Sequence, residues 1–346
     1  HLQREYKKKK IEYLIAQEAE VDLENLLNEL QIGKNSTDEY KVLLDDISNG
    51  VDKAKIRTNR ITEKEALIYF ELKEYDKTCE KLGSLLNMED ATFSFSVAEK
   101  YYNAMAKKIT NDFKGIIGKK SEDLIIIEKE RKDSLSKIDK VIKDLEALVK
   151  LIPSSERLNI LGSTYKRNAF ILESNKQEAF KKAALNYQKA YSFSNNWYSL
   201  TNWLALESAL VMTGSHFWGS SEDNNKIRLE YKLPTTDEAI RLLDASKESL
   251  CVNTERMSYW DMLAGINIGL CKYILQYSDE SDKKEFENIY REISELWKKA
   301  GSKGKRFAEI EHLEFVIDAF SDTKNKNAIE LKTKLEQLLK DLTKQL

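Results

Sequence analysis

Apolar residues recur three and four positions apart along nearly all of the 346 residues, and only two prolines, Pro153 and Pro234, interrupt them. Ile11, Leu14, Ile15 and Ala19 set the pattern, and Tyr40, Leu43, Leu44 and Ile47 repeat it. Residues so spaced share one face of a helix, whereas a strand alternates its faces at a period of two. Strand-rich chains also need a turn roughly every 8–12 residues, and 12 glycines with two prolines cannot supply them. The spacing therefore predicts an all-α fold. Leu135, Ile138, Ile142, Leu145, Val149 and Ile152 alternate strictly by three and four and stop at Pro153. That run is too short for a coiled coil and predicts one long helix of an array.

Hydrophobic residues at 41% suffice for a substantial core, and 33% charged residues suit a solvated exterior. Lys and Arg number 56 against 58 Asp and Glu, a net charge of −2. That balance argues against direct nucleic-acid binding, which draws on a cationic excess. The basic groups at Lys7, Lys8, Lys9 and Lys10, and at Lys298, Lys299, Lys303, Lys305 and Arg306, lack interleaved aromatics and read as solubilising surface.

Cys79, Cys251 and Cys271 are an odd count without a CxxC pairing, which points to packed thiols in a reducing, cytoplasmic compartment. His1, His216 and His312 form no metal-ligand spacing, so no metal site is expected. No phosphate-cradling glycine motif or GxSxG occurs, so no cofactor and no catalytic residue is assigned; a non-sequential Cys–His enzyme stays open as an alternative. No signal peptide opens the chain, and its start at His1 rather than Met is expected of a processed or excised piece. Residues 190–221 carry one charge, Glu207, among many Ser, Asn and Thr, and are expected inside an array rather than in a membrane.

Self-similarity at a period of about 34 residues organises the chain further. Leu158, Leu161, Gly162 and Tyr165 form a large, large, small, aromatic pattern on one helix. Ala183, Tyr187 and Ala190 answer with small, aromatic, small on the next, before Asn195 and Asn196. Gly162 and Ala183 should let the two helices approach closely, while Tyr165 and Tyr187 fill the space between neighbouring pairs. The same offsets hold Ala66, Tyr69, Tyr75, Thr78, Leu82 and Leu85, then Val141, Leu145, Leu148 and Pro153. Ala205 and Ala239 mark another pair, and Trp260, Leu263 and Ala264 are answered by Phe286, Tyr290 and Ile293.

The segment AALNYQKAYSFSNN resembles the second helix of a tetratricopeptide repeat (TPR), with Asn195 where the family usually has proline. The resemblance covers most of residues 60–346. It implies a TPR-like α-solenoid, a right-handed superhelix of about six or seven helix pairs. Residues 1–60 are expected to cap one end, 61–326 to form the array, and 327–346 to cap the other with Leu331, Leu335, Leu338 and Leu342. The loop between the helices of the strong repeat is expected to carry about nine extra residues. The stretch SSERLNILGSTYKRNA at 154–169, followed by NWLAL at 202–206, also resembles TPR arrays attached to bacterial signalling and defence proteins, such as those ahead of caspase-like CHAT peptidase domains.

In such arrays the first helix of each pair lines a concave groove. Asn159, Ser163, Lys166, Arg167, Asn202 and Asp261 lie on that face off the packing stripe, and are expected to grip a peptide or protein segment through amides and cations. An ordinary solvated face is the alternative. His216, Phe217 and Trp218 sit in a long connection at 213–237 and read either as loop anchors for a partner or as aromatics tucked between repeats. These readings make the chain a non-catalytic protein-recognition scaffold, and the second resemblance implies the regulatory array of a larger bacterial effector. An RNA-binding helical repeat is the alternative that the net charge disfavours. Oligomeric state leaves no mark in the sequence.

Overall fold

The computed structural model describes residues 2–32, 37–88, 94–118, 124–216, 235–251, 258–278, 283–299, 303–321 and 323–346. Among them are fourteen helices and no strand. The fold is all-α, consistent with a solenoid of successive helix pairs. It divides into two compact units, residues 1–112 and 113–346.

The first unit holds α1 (Leu2–Ile32), α2 (Thr37–Ala54), α3 (Asn59–Glu71), α4 (Tyr75–Leu86) and the greater part of α5 (Phe95–Gly118). Its core joins Leu23, Leu26 and Leu30 of α1 to Tyr40 and Leu44 of α2 and to Ile61 and Ile68 of α3. The segment expected as a separate N-terminal cap thus shares one core with the first helix pair. Thr58 starts α3 by accepting the Ile61 amide at 3.1 Å. Ala66, Tyr69, Tyr75, Thr78, Leu82 and Leu85 are all buried, as the repeat pattern requires. Glu65 is fully enclosed, and its carboxylate is satisfied by Ser48, Arg57 and Lys81. Burial would raise its pKa, but these three donors together hold it below the usual carboxylate value.

The second unit continues through α6 (Leu124–Leu151), α7 (Ser155–Ile171), α8 (Lys176–Ser194) and α9 (Trp197–Met212). It ends with α10 (Thr236–Cys251), α11 (Tyr259–Leu275), α12 (Lys283–Lys299), α13 (Lys303–Ala319) and α14 (Lys326–Thr343). Pro153 follows α6, and Ser154 caps α7 by accepting the Arg157 amide at 3.2 Å. The expected long loop after α7 is absent: only residues 172–175 separate α7 from α8, and the extra residues lengthen the helices instead. Asn195 stands in the left-handed region at φ 47°, a conformation that asparagine tolerates and proline cannot reach, and it closes α8. Asn196 then caps α9 by accepting the Tyr198 amide at 2.7 Å.

The pairing of α7 with α8 depends on Gly162. A methyl group there would lie 3.0 Å from the Tyr187 ring and 3.2 Å from the Ala183 carbonyl oxygen. Tyr187 is fully buried and meets Tyr198 of the next pair edge-on, with ring centroids 6.1 Å apart. Tyr165 reaches the preceding pair, donating to Glu146 at 2.6 Å. In the later pair Leu263, Ala264 and Ile293 are buried, but Tyr259 rather than Trp260 supplies the inward aromatic, and Trp260 is left 41% exposed. Every residue from 199 to 210 of α9 is buried, which accounts for the single charge in that stretch.

Gly162→Ala is expected to destabilise the second unit by about 1 kcal/mol, because overpacking against a carbonyl outweighs the gain in helix propensity. Gly265→Ala on α11, where nothing lies within 4 Å of the added methyl, should instead stabilise by up to about 1 kcal/mol. Urea denaturation of the two variants checks the opposite signs.

Candidate functional site

In the second unit α7 and α9 are bridged by polar side chains on one face, and that face is occupied. α13 packs against α7, α8 and α9 and is paired with α14. The residues expected to line an open groove are therefore engaged within the chain. Lys166 and Arg167 are 4% and 1% exposed. Lys166 donates to Asn202 Oδ1 at 2.7 Å, and Asn202 donates onward to the Tyr198 carbonyl at 2.9 Å. Arg167 donates to Ser163, through its carbonyl at 3.2 Å and its hydroxyl, and reaches Glu311 of α13 at 2.6 Å. Asn159 accepts from Ser199 at 2.9 Å.

Asp261 is the exception on this strip. It belongs to a capping box at the start of α11, taking the Ser258 amide at 2.8 Å and the Ser258 hydroxyl at 2.7 Å. Its carboxylate holds the first turn of the helix. His216 is 7% exposed and bonded to the enclosed carboxylate of Glu207. Burial pushes the Glu207 pKa up, and its contact with His216 works against that. The partners Phe217 and Trp218 lie outside the described residues, as does most of the 213–237 connection.

What the sequence reading missed is the origin of the groove's occupant. Glu311, Glu314, Phe315 and Asp318 fall at i, i+3, i+4 and i+7, on one side of α13. Each acid on that side finds a cation of a different helix: Glu311 meets Arg167 of α7, Glu314 meets Lys114 of α5, and Asp318 meets Lys176 of α8 at 2.6 Å. The Phe315 ring sits among three cations, with Lys166 at 5.2 Å, Arg167 at 5.3 Å and Lys114 at 5.9 Å from its centre. The i, i+3, i+7 acid spacing was visible in the sequence; that it meets cations some 140 to 200 positions earlier was not.

Glu309, one turn earlier on α13, accepts from Asn267 of α11 at 3.3 Å. Burial raises its pKa to about 7, with Asn267 and the Lys166 charge pulling the other way. His312 is pushed down to about 3 by burial and by the Lys166 charge. The two described thiols are poor nucleophile candidates: burial raises Cys79 to about 12 and lifts Cys271 well above its ordinary value. Among the described residues no group of three or more His, Cys, Asp and Glu side chains could hold a metal ion. No helix there is long and apolar enough to cross a membrane.

Residues 74–207, from the start of α4 into α9, match the family model Tetratricopeptide Repeats-Sensor. This segment is similar to a TPR array. No curated protein matches the chain. The TPR segment contributes Lys114, Lys166, Arg167 and Lys176, all four cations that hold α13.

Ionisation of Glu309 should weaken the second unit as pH rises. Its pKa is above its ordinary 4.5 in the folded chain, so its contribution is fully present below about 4.5 and lost through about 7, on the order of 3 kcal/mol. His312 acts in the opposite direction, with stability lost as pH falls below its ordinary 6.5. The two opposite slopes offset each other between about pH 4.5 and 6.5, so Glu309→Gln is expected to steepen the rise of stability through that range. Denaturant unfolding at a series of pH values measures both slopes.

Proposed function

We propose that this chain is a non-catalytic recognition module that takes a helical segment of a protein partner on the inner face of its second unit. TPR repeats mediate protein–protein interaction, and the observation that carries the reading to this face is chemical. Lys114, Lys166, Arg167 and Lys176 converge there from three helices and hold a helix by its carboxylates and one aromatic ring. Helix-in-groove recognition uses the same elements, a row of anchors at i, i+3, i+4 and i+7 laid into a matching surface.

The name of the matched family includes the word sensor, which supports reading the array as the regulatory part of a larger effector. The likeness of residues 154–169 to arrays of bacterial defence proteins points the same way. Nucleic acid is a poorer fit, because the inner cations already face carboxylates and the net charge is −2.

Panning the full chain against a displayed library of helical peptides tests the reading. Enriched peptides should bind at micromolar Kd and protect α7 and α9 from hydroxyl-radical footprinting. Enrichment of none, or protection confined to α10 and α12, would count against it.

A further inference from the structure

We infer that α13 occupies the inner face as a stand-in for an outside ligand, and that this ligand is an acidic amphipathic helix with carboxylates at i, i+3 and i+7 and an aromatic at i+4. The inference rests on the recognition reading above and names the partner's chemistry and its competitor.

The reasoning begins with the two sides of α13. Glu311, Glu314, Phe315 and Asp318 make one side, and it is this side that meets Lys114, Lys166, Arg167 and Lys176. Leu313, Val316 and Phe320 fall on the opposite side by helical geometry and are buried. α13 is paired with α14, whose Leu331, Leu335, Leu338 and Leu342 form a buried stripe. A helix that belonged to the array only as one more repeat would present an apolar stripe to the preceding pairs. This one presents three carboxylates and a cation-ringed phenyl, the chemistry of a bound ligand rather than of a seam between repeats.

Charge complementarity then selects the partner. With α13 moved aside, four cations and the Asn202 amide would line an inner face with no acid to balance them from α13. A basic or neutral helix leaves Lys114, Arg167 and Lys176 without the carboxylates that α13 gives them, which is unfavourable. A helix with the α13 spacing restores every pair. Because α13 is tethered, it competes at high effective concentration, and the outside helix binds in proportion to the fraction of chains in which α13 is released.

The test uses the full chain and a fluorescein-labelled peptide with the sequence of residues 303–320. The double variant Glu311→Lys with Glu314→Lys weakens the tethered helix without altering the receptor cations. Labelled peptide should bind that variant at least tenfold more tightly than it binds the unsubstituted chain, and peptide carrying the same two lysines should not bind. A variant that stays helical by circular dichroism yet binds no better than the unsubstituted chain overturns the inference. Should the double variant fail to fold, Phe315→Leu provides the same comparison, with tenfold tighter peptide binding expected and unchanged binding overturning the inference. Library peptides that bind the inner face while the 303–320 peptide does not would overturn this inference alone. Absence of binding by both classes would remove the recognition reading with it.

Discussion

A guanidinium taken out of water needs an anion beside it, and the second unit is arranged around that requirement. Arg167 sits in the interior of α7 at 1% exposure, with Lys166 next to it at 4%. Cations so enclosed are costly unless paired, and removing one partner of such a pair typically costs about 3–5 kcal/mol. α13 brings Glu311 to Arg167 and the Phe315 ring between the two cations. The closed inner face thus follows from where α7 keeps its charges. An array with neutral residues at these two positions would hold α13 only through Lys114 and Lys176.

Close approach of backbones supplies the complementary constraint. Gly162 admits the Tyr187 ring and the Ala183 carbonyl at distances that would be tight for any side chain. That lets α7 and α8 lie near enough for Tyr187 to reach Tyr198 of the next pair. Small residues set the spacing within a pair, and aromatics set the spacing between pairs. The inner cations then sit at fixed positions because both spacings are fixed.

Most of the architecture was legible from the sequence because it rests on local periodicity. The small and aromatic positions of the strong repeat, the stop at Pro153 and the leucine stripe of the last helix all follow from residues within one or two turns of each other. The candidate site was legible only in part. Asn159, Ser163, Lys166, Arg167 and Asn202 do gather on one face, yet nothing local could tell that Glu311 and Phe315 would lie on it. The helix-capping use of Asp261 depends on Ser258 three residues before it, a pairing that the sequence carries but that a search for groove polar groups passes over. The enclosure of His216 was not legible because its partner, Glu207, looked like a lone charge in a neutral stretch when it is half of an enclosed pair.

The end of α9 has a practical consequence. Gly214 turns the backbone at φ 77°, the amides of Ser215 and His216 both bond the Leu210 carbonyl, and the imidazole is tied to Glu207. The chain therefore leaves α9 from a firmly moored point. A helix end tied at these points frays little, so the last turn of α9 keeps its geometry without support from whatever follows it.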